Sequence, residues 1–178
     1  MTKKVVKTEM ELKQLLEDTR RMKREIKISY NPQKNVIING TEILNFRNSG
    51  FPNLQDLINL LEYTYLKTAY KPVKVVVEEN LLYLFEEKDI NFYEKIIAQG
   101  YNLRNHLIQF VVTSTQESCV NQMLKLGLSE NAKIITNENI VQTYENTNLE
   151  SKFTSFSDKS WQIKYRIDDQ EIKLYNVK

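Results

Sequence analysis

Four short apolar runs rich in β-branched residues recur along this chain, with helix-like stretches between them. They are NVIIN (35–39), VKVVV (Val73–Val77), LIQFVVTS (Leu107–Ser114) and AKIITN (Ala132–Asn137). A continuous apolar run suits a strand buried on both faces, and strands that alternate with helices pair in parallel through crossovers. The intervening segments keep helical spacing. Leu54, Leu57, Ile58, Leu61 and Tyr65 line one face behind Asn53, a capping residue, and Asp56 sits in the first turn. NFYEKIIAQG ends on Gly100, a typical residue just past a helix, while SCVNQMLKLGL and NIVQTYE read as further helices. At the end, WQIKYRI and EIKLYNV alternate apolar and polar residues around DDQ, predicting a hairpin with one exposed face. The expected fold class is α/β: a mostly parallel central sheet flanked by helices, with a C-terminal β-hairpin.

An extra N-terminal amphipathic helix is expected over about residues 9–27. Thr8 and Glu11 have capping-box spacing, and Leu12, Leu15, Leu16, Met22 and Ile26 follow at helical intervals. Pro32 in SYNPQK breaks it. The expected division is therefore residues 1–30, a basic helix, and residues 31–178, the α/β domain. Charge follows the same division. Residues 1–30 carry nine Lys/Arg against five Asp/Glu, and the remainder sixteen against eighteen. A basic helix can touch RNA phosphates, but a charged, solvated helix face reads the same way.

Composition narrows the chemistry. One cysteine excludes an intramolecular disulfide framework, and a lone histidine leaves zinc sites and His-based triads without their residues. Any metal must be held by carboxylates, which points to Mg²⁺ or Mn²⁺. No run reaches the ~18 apolar residues of a membrane helix, and the start lacks the apolar core of a signal peptide. An intracellular protein, cytoplasmic or nuclear, is expected. No glycine-rich phosphate loop follows any run, which weighs against a Rossmann-like nucleotide site.

In parallel sheets, ligand sites lie beyond the carboxyl ends of the strands. Those ends are Asn39-Gly40-Thr41-Glu42, Glu78-Glu79, Thr115-Gln116-Glu117-Ser118 and Thr136-Asn137-Glu138. Polar and acidic residues collect there, although loops after strands are polar in any protein.

Three stretches in this order resemble the NYN ribonuclease domain of the Regnase type, a PIN-like, metal-dependent endoribonuclease family. VIINGTEIL is similar to its opening strand and acid-glycine turn. MLKLGLSENAKIITNENIVQTY resembles its helix, strand and SND segment, and IKYRIDDQEIKLY its closing hairpin. The resemblance covers about Lys34 to Lys178. It implies several carboxylates converging on Mg²⁺ or Mn²⁺. Carried over by position, the family's first aspartate falls on Asn39, and its asparagine three places on falls on Glu42. A pair of aspartates falls on Cys119 and Val120, or on Glu117 and Ser118 with a shift of two. The last aspartate falls on Glu138, preceded by the matching Asn137. Asn39, Asn137, Cys119 and Val120 thus read as former metal-site positions.

The resemblance therefore implies a catalytically degenerate domain that expects no cofactor. It would be a protein-binding subunit, paired with an active NYN relative or with itself, and would contact RNA within an RNA-processing or RNA-silencing complex. The alternative is an active Mg²⁺- or Mn²⁺-dependent endoribonuclease using Glu42, Glu117 and Glu138. For the partner surface, the apolar cluster Leu81, Leu82, Leu84 and Phe85 inside EENLLYLFEEKD is the candidate, with a simple core helix as its rival. Cys119 reads as a small core residue rather than a nucleophile, and His106 as a surface or strand-start residue. Tyr63, Tyr65 and Tyr70 suit either base stacking or helix–sheet contacts, and Lys125 and Lys133 are candidate phosphate guides.

Overall fold

A computed structural model describes residues 34–47, 50–114, 118–140, 161–168 and 171–176. The expected N-terminal helix, nearly all of NIVQTYE and the tip of the DDQ turn lie outside the described residues. Within them, β1 (Lys34–Asn39) runs into a short helix α1 (Gly40–Leu44), followed by α2 (Leu54–Lys67) and β2 (Tyr70–Glu78). A 3₁₀ helix (Glu79–Leu84) leads to α3 (Glu87–Gln99), β3 (Tyr101–Leu103) and β4 (His106–Thr113). Then come α4 (Cys119–Glu130), β5 (Lys133–Ile135), β6 (Gln162–Asp168) and β7 (Glu171–Asn176).

The seven strands described form one sheet in the order β3-β4-β2-β1-β5-β6-β7. From β4 to β6 every neighbouring pair is parallel, while β3 and β7 are antiparallel edges. The expected α/β sheet is thus present, and the hairpin continues it rather than standing apart. Two apolar layers sandwich the sheet, as alternation along β1 requires. Val36 and Ile38 face α2 and α3, while Ile37 faces α4 with Val120, Met123 and Leu124.

Local chemistry sets the element ends. The Asn53 side chain accepts from the Asp56 N–H at 3.2 Å and caps α2. Asp56 is itself buried and held by a two-point ion pair with Arg47 at 2.6 and 3.0 Å. Gly100 ends α3 at φ 78. Pro72 lies inside β2, where Val36 pairs with Pro72 and Ile37 already with Lys74. A proline has no N–H for the ladder, so the strand bulges there. The β3–β4 hairpin was not expected at all; its turn is Arg104-Asn105, both at positive φ without a glycine.

The apolar cluster also divides. Leu81 and Phe85 are buried in the core, so they are not partner-facing; Leu82 is half-buried and Leu84 is exposed. The 3₁₀ helix turns Tyr83 outward instead, at 85% exposure.

Candidate functional site

The carboxyl ends of β1, β2, β4 and β5 meet at one edge of the sheet. Asn39 is the last residue of β1 and the cap of α1. Its Oδ1 accepts the Glu42 N–H at 3.2 Å, which fixes the orientation of the amide. Its Nδ2 must therefore be the group that points at Glu42 Oε2 and Thr136 Oγ1, both at 3.3 Å. Gly40 lets the chain turn here against β2, because a Cβ would meet Val75 and Val77 side-chain carbons at 2.5 and 2.6 Å. Thr41 Oγ1 then accepts the Glu78 N–H at 2.9 Å and ties α1 to the end of β2.

Glu42 is the centre of the arrangement. Its carboxylate accepts from the Asn137 N–H at 2.9 and 3.0 Å, from the Tyr165 hydroxyl at 3.0 Å, from the Thr136 hydroxyl and from Asn39 Nδ2. Asn137 completes the link to the hairpin, because its Oδ1 accepts the Tyr165 N–H at 3.0 Å. Gln162 Nε2 adds bonds to the Thr136 and Glu138 carbonyls at 3.1 and 2.8 Å. Burial, then the Glu42 charge, pushes the Tyr165 pKa up, so its hydroxyl stays a donor.

Glu138 stays exposed at the rim, yet its carboxyl is partly desolvated. That desolvation and the Glu42 charge raise its pKa, the Asn39 amide opposes them, and Glu78 adds a smaller push upward. Cys119 and Val120 are buried at the start of α4. The Cys119 Sγ lies 3.4 Å from both Thr41 Oγ1 and Thr113 Oγ1. Burial pushes its pKa up; the two threonines oppose this, and Glu78 and Glu138 add to it.

Asn39, Glu42, Asn137, Glu138 and Cys119 are thus brought together, with Val120 beside them in the core. Glu117 lies outside the described residues. Tyr165 and Thr113 were missed as site residues, while Thr41 and Thr136 were placed at the strand ends without a role. The inward alternation of Ile163, Tyr165 and Ile167 could have flagged Tyr165, since a buried tyrosine hydroxyl needs a partner. His106 starts β4 and stacks on Tyr65 at 5.2 Å between ring centroids. Tyr70 donates to Asn176 Oδ1 at 2.9 Å. Both tyrosines therefore serve contacts between elements.

The residues present do not fit a Mg²⁺ or Mn²⁺ centre at the positions that the resemblance assigns. Such ions take oxygen donors. Asn39 offers an N–H to the carboxylates, the Glu42 oxygens are already taken by N–H and O–H donors, and Cys119 and Val120 supply no oxygen. Among the described residues, no group of three His, Cys, Asp or Glu is placed to share a metal ion.

No protein-family model matches the sequence, and no curated protein does. Solved structures do match. Two structures of nuclear proteinaceous RNase P 2 from Arabidopsis thaliana align with TM-scores of 0.56 and 0.57, each at 14% identity. They cover 94% and 95% of this chain, which spans 36% and 37% of theirs. The fold is NYN/PIN-like, and at this identity the likeness does not single out the Regnase type. No helix among the described residues is long and apolar enough to cross a membrane.

Proposed function

We propose that this chain is a catalytically degenerate NYN ribonuclease-like domain, of the Regnase type suggested by its motifs. It serves as a protein- and RNA-binding subunit of an RNA-processing or RNA-silencing complex. One observation carries the reading: the Asn39 amide directs its N–H, not an oxygen, into the acid cluster. In electrostatic terms, that N–H and the hydroxyls of Thr136 and Tyr165 do for Glu42 what a cation does in a metallonuclease. The fold likeness to a proteinaceous RNase P supports the RNA-processing context.

A rival reading, an active Mg²⁺- or Mn²⁺-dependent endoribonuclease built on Glu42, Glu117 and Glu138, draws support from the mutual repulsion of Glu138, Glu42 and Glu78. Clustered negative charge at strand ends attracts cations. The deciding experiment is cleavage of a labelled single-stranded RNA in Mg²⁺ and in Mn²⁺, with Glu138→Gln as control. The degenerate domain leaves the RNA intact. Metal-dependent cutting that Glu138→Gln abolishes establishes the rival.

A further inference from the structure

Beside the acid cluster lies a groove of about 300 Å³ between the 3₁₀ helix, α3 and β4. Leu82, Tyr93, Ile97 and Val112 give it apolar walls, and Glu78, Glu79 and Glu94 line it as well. No Lys or Arg among the described residues lines it. Tyr83, also in the lining, is 85% exposed, and Val112, on the terminal part of β4, is 44% exposed. A large aromatic exposed at the rim of the groove offers apolar area that a partner can cover.

We propose that this groove docks a segment of a partner protein that presents an apolar side chain flanked by Lys or Arg. The apolar walls take the anchor, and the Glu78 and Glu94 carboxylates take the cations. The carboxylate lining decides the chemistry: it repels a nucleic-acid backbone and an acidic peptide, and it attracts a basic segment. The Glu78 charge also bears on Glu138 and Cys119, so a cation paired with Glu78 would extend its influence to the strand-end cluster. The inference deepens the partner-binding reading above and names the partner's chemistry.

The test is selection of random peptides of about a dozen residues against the full chain, with Tyr83→Ser protein as the counter-selecting bait. Peptides carrying an aromatic or branched apolar residue next to Lys or Arg are expected to enrich. Binding of a synthesised winner should fall at least about tenfold with Tyr83→Ser and with Glu94→Lys, and should weaken with salt. Both positions are exposed, and an unchanged melting temperature excludes misfolding. Failure to enrich, enrichment of acidic or wholly apolar peptides, or indifference to both variants overturns the proposal. So does single-stranded RNA whose binding, rather than a peptide's, depends on Tyr83. RNA cleavage is measured on the same preparations. Cutting by protein that still binds the peptide sinks the non-catalytic reading alone, whereas no peptide and no cutting sinks the groove alone.

Discussion

The Tyr165 hydroxyl donates to Glu42 Oε1 at 3.0 Å, joining residues 123 positions apart. The bond fastens β6 to the first strand–helix turn. It also fills a coordination direction that an acid in a metal site would keep open. Removing the hydroxyl leaves a charged acceptor short of one donor, so Tyr165→Phe should cost about 1–2 kcal/mol of folding stability. Glu42→Ala, which removes every acceptor oxygen, should cost at least as much, and the double variant less than the sum, because both changes break the same bond. Urea unfolding of the four proteins measures the coupling. Strict additivity would mean that the bond contributes nothing.

Asn39→Asp restores the acid that the family resemblance places at this turn. It also replaces an N–H donor with a fully buried negative charge beside Glu42 and near Glu138. Breaking a buried interaction in this way costs on the order of 3 kcal/mol. The variant should therefore melt well below the parent, and Mn²⁺ should restore part of the loss for the variant while leaving the parent unmoved. Thermal melts with and without Mn²⁺ decide it. An equal response of both proteins would show that Asn39 does not govern cation binding.

The difference between what was legible in the sequence and what was not lies in range. β1 and β2 announce themselves because strands buried on both faces are continuous apolar runs, whereas β4 is apolar and β-branched although Leu107 and Val112 on it are exposed. The Asn53 cap, the Gly100 terminus and the strand-end location of the polar residues are equally local. The β3–β4 hairpin carries no such mark, since Arg104 and Asn105 adopt positive φ where Asn-Gly would be the usual signal. The 81–85 cluster was misjudged because five consecutive residues of mixed size do not reveal a 3₁₀ helix, and so did not show that Tyr83 would face out and Phe85 in. For Tyr165 the alternation of the hairpin strand marks burial and so the need for a hydroxyl partner, but which partner is set by where the hairpin joins the sheet.

Glu138 gives a pH signature. Its folded pKa is raised above the ordinary 4.5, so the folded state holds that proton more tightly than the unfolded chain does. Its contribution is fully present below the unfolded value and is lost as pH rises through the folded one. Glu138→Gln removes the charge and the repulsion by Glu42. The variant should therefore gain stability relative to the parent as pH rises from about 4.5, and the two should converge in more acid solution. Denaturant midpoints across that range measure it. A parent that gains on the variant as pH rises would mean that the Asn39 amide outweighs burial and the neighbouring charges.

Cys119 reports whether the strand-end cluster is closed in solution. The thiol is buried between Thr41 and Thr113, and burial raises its pKa, so both access and thiolate fraction are low. Disulfide exchange with a small aromatic reagent needs both. In native protein at mildly alkaline pH, labelling should run at least about a hundredfold slower than in denaturant. Thr41→Ala removes one contact that favours the thiolate and opens space beside the sulfur, so reagent access should quicken while the thiol titrates still higher. Native labelling within about tenfold of the unfolded rate would mean that α1 and α4 part readily at their starts. The Glu42 bonds would then have to be holding the hairpin to a turn that is itself loose.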